Sequence, residues 1–102
     1  MNDRYNKRRA YAVVRELGGV VGGLTSPLPF SGSEIRIEFH DTQFKGGDLG
    51  RLSVLRPLSS GNWVGVMFKD TNVSRRDIIE LQAELSNCSI FRVVDGERKN
   101  DR

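Results

Sequence analysis

Residues Glu34–Phe39 alternate without interruption: Ile35, Ile37 and Phe39 fall on one side, Glu34, Arg36 and Glu38 on the other. A period of two over six residues marks a strand with one buried and one wet face, as in an antiparallel sheet. Such a strand needs neighbours, and the chain offers several. Tyr11–Arg15 and Val20–Thr25 are short β-prone runs separated by Gly18-Gly19. Arg51–Arg56 sets Leu52 and Val54 in one register, and Ser59-Ser60-Gly61-Asn62 supplies a turn. Trp63–Phe68 follows, with Val64, Val66 and Phe68 on one face and Trp63, Gly65 and Met67 on the other. Residues 51–68 are therefore expected as an antiparallel hairpin, and Ser89–Val94 as a short last strand.

One helix is plain over about residues 74–86: Ser74 and Asp77 make a capping-box start, and Ile78, Leu81 and Leu85 recur at helical spacing. Pro27 and Pro29 break regular structure between the second strand and the alternating one. No internal repeat stands out. The 102 residues suffice for one domain with one core. The fold expected from these elements is mainly β, a small antiparallel β-barrel closed by a C-terminal helix. Residues 1–9 are expected as a flexible basic arm, 10–95 as the barrel domain and 96–102 as a polar tail.

The formal net charge of +3 is unevenly placed. Arg4, Lys7, Arg8, Arg9 and Arg15 face only Asp3 within the first fifteen residues, while the remainder is slightly acidic. Clustered positive charge of this kind meets an anion: nucleic acid, a nucleotide phosphate or an acidic partner. Apolar stretches are too short to cross a bilayer, so membrane insertion is not expected. Met1-Asn2-Asp3-Arg4 lacks the basic-then-apolar pattern of a secretory leader. Cys88 is the single cysteine, which suits a reducing, cytoplasmic setting.

The residues that usually carry catalysis are sparse. His40 is the lone histidine, with no partner set in the sequence, and Cys88 has no metal-ligand spacing to another Cys or His. A phosphate-cradling GxxxxGK[ST] loop and the HExxH and GxSxG motifs are absent from the sequence. A binding protein is expected rather than an enzyme, without a cofactor. Two features point to a ligand. Arg4 and Arg8, extended by Arg9, present planar guanidinium donors that match phosphates and guanine edges. Gly22 and Gly23 let either a ligand or a crossing strand approach the backbone closely.

The order of these elements resembles the PilZ domain. The resemblance spans about residues 18–85: Gly22-Gly23-Leu24, a proline-bearing loop, Gly32-Ser33, the alternating strand, Gly50-Arg51-x-x-Val54, Asn62–Phe68 and the capped helix. Arg4-x-x-x-Arg8 stands where that family keeps its arginine arm. If Gly23 matches the last glycine of the family's [D/N]xSxxG motif, Gly18 and Val20 stand at its polar positions. The resemblance implies a β-barrel receptor for cyclic di-GMP, with Arg4, Arg8 and Arg9 on the ligand and Gly22 and Gly23 beneath it. It also implies an effector protein as partner, either a transcription regulator or a motility or envelope component, with homodimerisation as a further option. Two other readings stand beside it: a ligand-independent adaptor acting through protein contacts, and a nucleic-acid-binding small barrel.

Overall fold

The computed structural model of the chain describes residues 3–23 and 34–101. The proline-bearing loop, Leu24-Thr25 and Gly32-Ser33 lie outside the described residues. The first element is helix α1, Asp3–Glu16. Ala10, Val14 and Leu17 are buried, with Tyr11 and Val13 packed at the margin of the same stripe. Apolar residues three and four apart make one helical face, and burial of that face overrides the strand propensity of Val13-Val14. Residues 3–9, expected as a flexible arm, and Tyr11–Arg15, expected as a strand, thus belong to one helix.

Five strands follow: β1 Val20–Gly22, β2 Glu34–His40, β3 Trp63–Lys69, β4 Ser89–Val94 and β5 Glu97–Lys99. They form one sheet in sequence order. β1 and β2 are antiparallel, β2, β3 and β4 are mutually parallel, and β4 and β5 form an antiparallel hairpin. The sheet is open and mixed, so the closed antiparallel barrel is not formed. Parallel neighbours require long crossovers. A 3-10 helix at Leu49–Ser59 joins β2 to β3, and helix α2 at Arg75–Glu84 joins β3 to β4.

The 3-10 helix replaces the first strand of the expected hairpin over residues 51–68. Leu49, Leu52, Leu55 and Leu58 recur every third residue, the period of a 3-10 turn. The last three are fully buried. Helix α2 starts as its sequence implies. The Ser74 hydroxyl accepts from the Asp77 backbone N–H at 3.1 Å, and the Ser74 N–H donates to Asp77 Oδ2 at 2.9 Å. Asp95 and Gly96 both take positive φ, 52° and 80°, as a two-residue hairpin turn between β4 and β5 demands. Part of the segment expected as a polar tail is therefore strand β5.

The pairing register exposes a repeat. Residues of β2 and β3 that face each other are 29 positions apart, Glu34 with Trp63 through His40 with Lys69. At the same spacing Phe39-His40-Asp41-Thr42 returns as Phe68-Lys69-Asp70-Thr71, and Phe44, Leu49 and Leu52 return as Val73, Ile78 and Leu81. Asp41 and Asp70 both hold left-handed backbone, φ 56° and 53°. Each donates its N–H to the neighbouring rung, to the carbonyls of Lys69 and Val93. The unit is one strand, a left-handed aspartate and one helix. Two such units lie side by side and bury their apolar sides in one common core.

The core lies between the sheet and its helical layer. Ile35, Ile37 and Phe39 of β2, Val64, Val66 and Phe68 of β3 and Ile90 of β4 face Ala10 and Val14 of α1, the buried leucines of the 3-10 helix, and Ile78 and Leu81 of α2. Phe39 and Phe68 are paired in register and stacked, with centroids 5.3 Å apart and planes 7° apart. Phe44 closes the stack edge-on to both rings. On the next rung the place of Phe68 is taken by Arg92. Its Nε and Nη2 donate to Asp101 at 2.7 and 3.0 Å.

The hydrogen bonds from Arg92 hold the Asp101 carboxyl below its ordinary pKa of 3.8, against the opposing effect of burial. A group whose folded pKa is lowered stabilises the fold above its unfolded value, and that contribution fades as pH falls through the folded one. Asp101→Asn is expected to unfold at lower urea than the parent chain at pH 7. The gap should narrow below about pH 4 as the parent carboxyl protonates. A gap that ignores pH would show that charge is not what Asp101 contributes.

Candidate functional site

Among the described residues the three helices pack on one side of the sheet and nothing covers the other, here called the bare face. The outward row of β2 is Glu34, Arg36, Glu38 and His40, and that of β3 is Trp63, Gly65, Met67 and Lys69. Ser89, Phe91 and Val93 continue the surface on β4, and Arg98 of β5 lies beside Val93. An open cleft of about 270 Å³ crosses this face, with Trp63, Gly65 and Met67 on its floor and Arg36, Phe91 and Arg98 around them.

Gly65 shapes the cleft. It is buried, and any Cβ placed on it would run into the six-membered ring of Trp63. The indole therefore lies across Gly65, while Trp63 remains 49 % exposed. Arg36 is the register partner of Gly65, which sets a guanidinium beside the covered glycine. At the far side the Arg98 guanidinium carbon sits 4.1 Å from the centroid of the Phe91 ring. That is a cation–π distance, and it holds the arginine over an apolar surface without using its in-plane donors.

The charges of the face are partly matched. Arg36 Nε meets Glu34 Oε1 at 3.0 Å, and His40 Nε2 meets Glu38 Oε1 at 2.8 Å. Arg98 and Lys69 have no ion pair among the described residues. The groups offer a flat aromatic surface, a thioether, and guanidinium forks that recognise carboxylate or phosphate.

The residues singled out in the sequence go elsewhere. Arg4 and Arg8 lie one turn apart on α1, both exposed. Arg9, also exposed, borders a shallow groove with Asn6, Ser53, Val54, Arg56 and Pro57. These arginines belong to the helical layer, whereas Gly22 lies in the outward row of the sheet, opposite Arg36. Gly23 has φ 128°, and a Cβ there would strike the Glu34 carbonyl oxygen. The close approach that Gly23 permits is to a neighbouring strand. His40 is on the bare face with Glu38 as partner. Cys88 is buried in the core, and burial raises its thiol pKa. Among the described residues no cluster of His, Cys, Asp and Glu could hold a metal ion, and no helix is long and apolar enough to cross a membrane.

Trp63, Met67, Phe91 and Arg98 were not singled out in the sequence as site residues. The signal for β3 was present: an outward row of Trp63, Gly65 and Met67 is too apolar for a plain wet face. Meeting Phe91 and Arg98 depends on the order of strands, which alternation does not encode. Compared with known proteins, the chain matches no family model, no curated protein and no solved structure.

Proposed function

We propose that the domain is a non-enzymatic protein-binding module that docks a partner on the bare face of its sheet. The observation that carries this reading is Trp63, held across Gly65 in the middle of that face and left half-exposed. An apolar patch of Trp, Met and Phe with arginine at its margin has the composition of an interface centre. Stacked strand-and-helix units use their extended faces for this purpose. The adaptor reading of the sequence is the one this geometry favours, and the lone buried Cys88 fits a reducing cytosol.

Photo-crosslinking tests it. With a benzophenone side chain at position 67, on the bare face, a partner adduct is expected that Trp63→Ala removes. The same group at position 53, on the helical layer, should give none. Trp63→Ala removes a half-buried ring and should cost on the order of 1 kcal/mol while leaving the domain folded, which far-UV circular dichroism checks. An adduct formed equally from both positions, or one indifferent to Trp63, would overturn the reading.

A second reading keeps cyclic di-GMP as ligand and is favoured by Arg4 and Arg8 lying one turn apart and exposed on α1. It departs from the PilZ resemblance, because the sheet is open and the arginines sit in a helix. Calorimetric titration of cyclic di-GMP into the parent chain and an Arg4→Ala/Arg8→Ala variant separates the two. Binding that is lost in the variant supports the receptor. No binding by the parent chain removes it.

A further inference from the structure

Resting on the docking reading above, we infer that the occupant of the bare face is an extended segment of a partner polypeptide that pairs an apolar side chain with a carboxylate. The apolar group seats on Trp63 and Met67, and the carboxylate meets Arg98. Arg98 is the carboxylate-free guanidinium of the cleft among the described residues. Its stacking on Phe91 leaves the planar donor fork for a partner. Arg36 is engaged with Glu34 and His40 with Glu38, so the unmet positive charge lies at the β4–β5 side and at Lys69.

The span of the face sets the length of the segment. From β2 to β5 there are three strand spacings of about 4.8 Å, close to 14 Å in all, which roughly four or five extended residues cross. The charge pattern decides the chemistry. Glu34 and Glu38 stand on the same face, so a strand of nucleic acid, carrying a phosphate at every residue, would meet two carboxylates on its way across. A polypeptide carries charge only where its sequence puts it. It can pass Glu38 with a neutral residue and present a carboxylate only at Arg98.

Trp63 is the single tryptophan of the chain, so its emission reports the cleft directly. The probe is an acetylated and amidated pentapeptide, Ser-Ser-Phe-Ser-Glu, whose one carboxylate lies on the Arg98 side. Its controls are the same peptide with lysine for glutamate, one with serine for phenylalanine, and a fifteen-nucleotide oligo-dT. The glutamate peptide is expected to change Trp63 emission saturably and to shift the amides of Gly65, Met67 and Phe91. It should bind about tenfold more tightly than the lysine peptide, and Arg98→Gln should remove that preference. Removing the phenylalanine should weaken binding about tenfold as well. Equal binding of the lysine peptide at the same amides would overturn the charge assignment while leaving the docking face intact. Tighter binding of oligo-dT would overturn the polypeptide assignment. No saturable change with any probe would overturn the inference, with the crosslinking result at position 67 still deciding the docking reading separately.

Discussion

Phe68→Ala is expected to cost about 3–5 kcal/mol of folding stability, the range for deleting a fully buried aromatic ring. Phe68 is 0 % exposed, stacked on Phe39 and capped edge-on by Phe44. Phe39 and Phe68 occupy the same place in the two repeated units, so the ring pair ties one rung to the next. Removing one ring leaves its partner facing a cavity on the side where the strands must stay in register. Domains of this size are stable by about 5–15 kcal/mol in total, so the variant should lie near the edge of folding. Urea unfolding followed by far-UV circular dichroism measures the effect as a lowered midpoint with an unchanged slope. A loss below about 1 kcal/mol would mean that the stack is not the centre of the core. Phe44→Ala should cost less, because Phe44 is only partly buried.

Gly23→Ala is expected to cost about 2–4 kcal/mol, while Gly22→Ala should be nearly neutral. The two glycines are adjacent and equally suggestive in sequence, yet their surroundings differ. A Cβ on Gly22 meets nothing within 4 Å. At Gly23 the backbone is left-handed, with φ 128°, and a Cβ is driven into the carbonyl of Glu34, where β2 begins. Neither the conformation nor the contact can be relieved by turning a side chain. If Gly23 were instead a seat for a ligand, Gly23→Ala would fold like the parent chain and lose only binding. Thermal unfolding of both variants without any ligand decides between these accounts.

Much of the element list was legible. Strands β2, β3 and β4 could be read from alternation and short apolar runs, and the capping box marked the start of α2 to the residue. What alternation does not carry is direction, because parallel and antiparallel strands bury the same rows. Direction is set by the connection. The chain does bend at residues 60–62, but Ser59 still belongs to a 3-10 helix, and Leu52 with Val54 mimicked a strand inside a stripe whose period is three. In α1 the pair Val13-Val14 has strand propensity, and only the wider spacing of Ala10, Val14 and Leu17 gives the helix away.

The repeat was hidden for a related reason. Its clearest trace, Phe-x-Asp-Thr at residues 39–42 and 68–71, is four residues long, and its apolar positions lie in segments of different helical type. The basic N-terminal cluster was legible as charge, but its placement in the helical layer was not, because nothing within residues 1–9 shows that Ala10 and Val14 will be buried. The bare face was half visible in the outward row of β3. Its arginine partner came from the segment expected as a tail.

The two parallel crossovers are unequal. Facing residues are 29 positions apart between β2 and β3 and 24 apart between β3 and β4, yet both pairs of strands stay in register. The difference of five residues is taken up wholly on the covered side, where one crossover is a 3-10 helix and the other an α-helix. The sheet therefore acts as the ruler of the molecule and the crossovers as its slack. Insertions and deletions can accumulate in the crossovers without moving the outward rows, whereas a one-residue change within a strand would turn Trp63 or Arg98 inward. The outward face is thereby insulated from much of the variation the length of the chain can absorb.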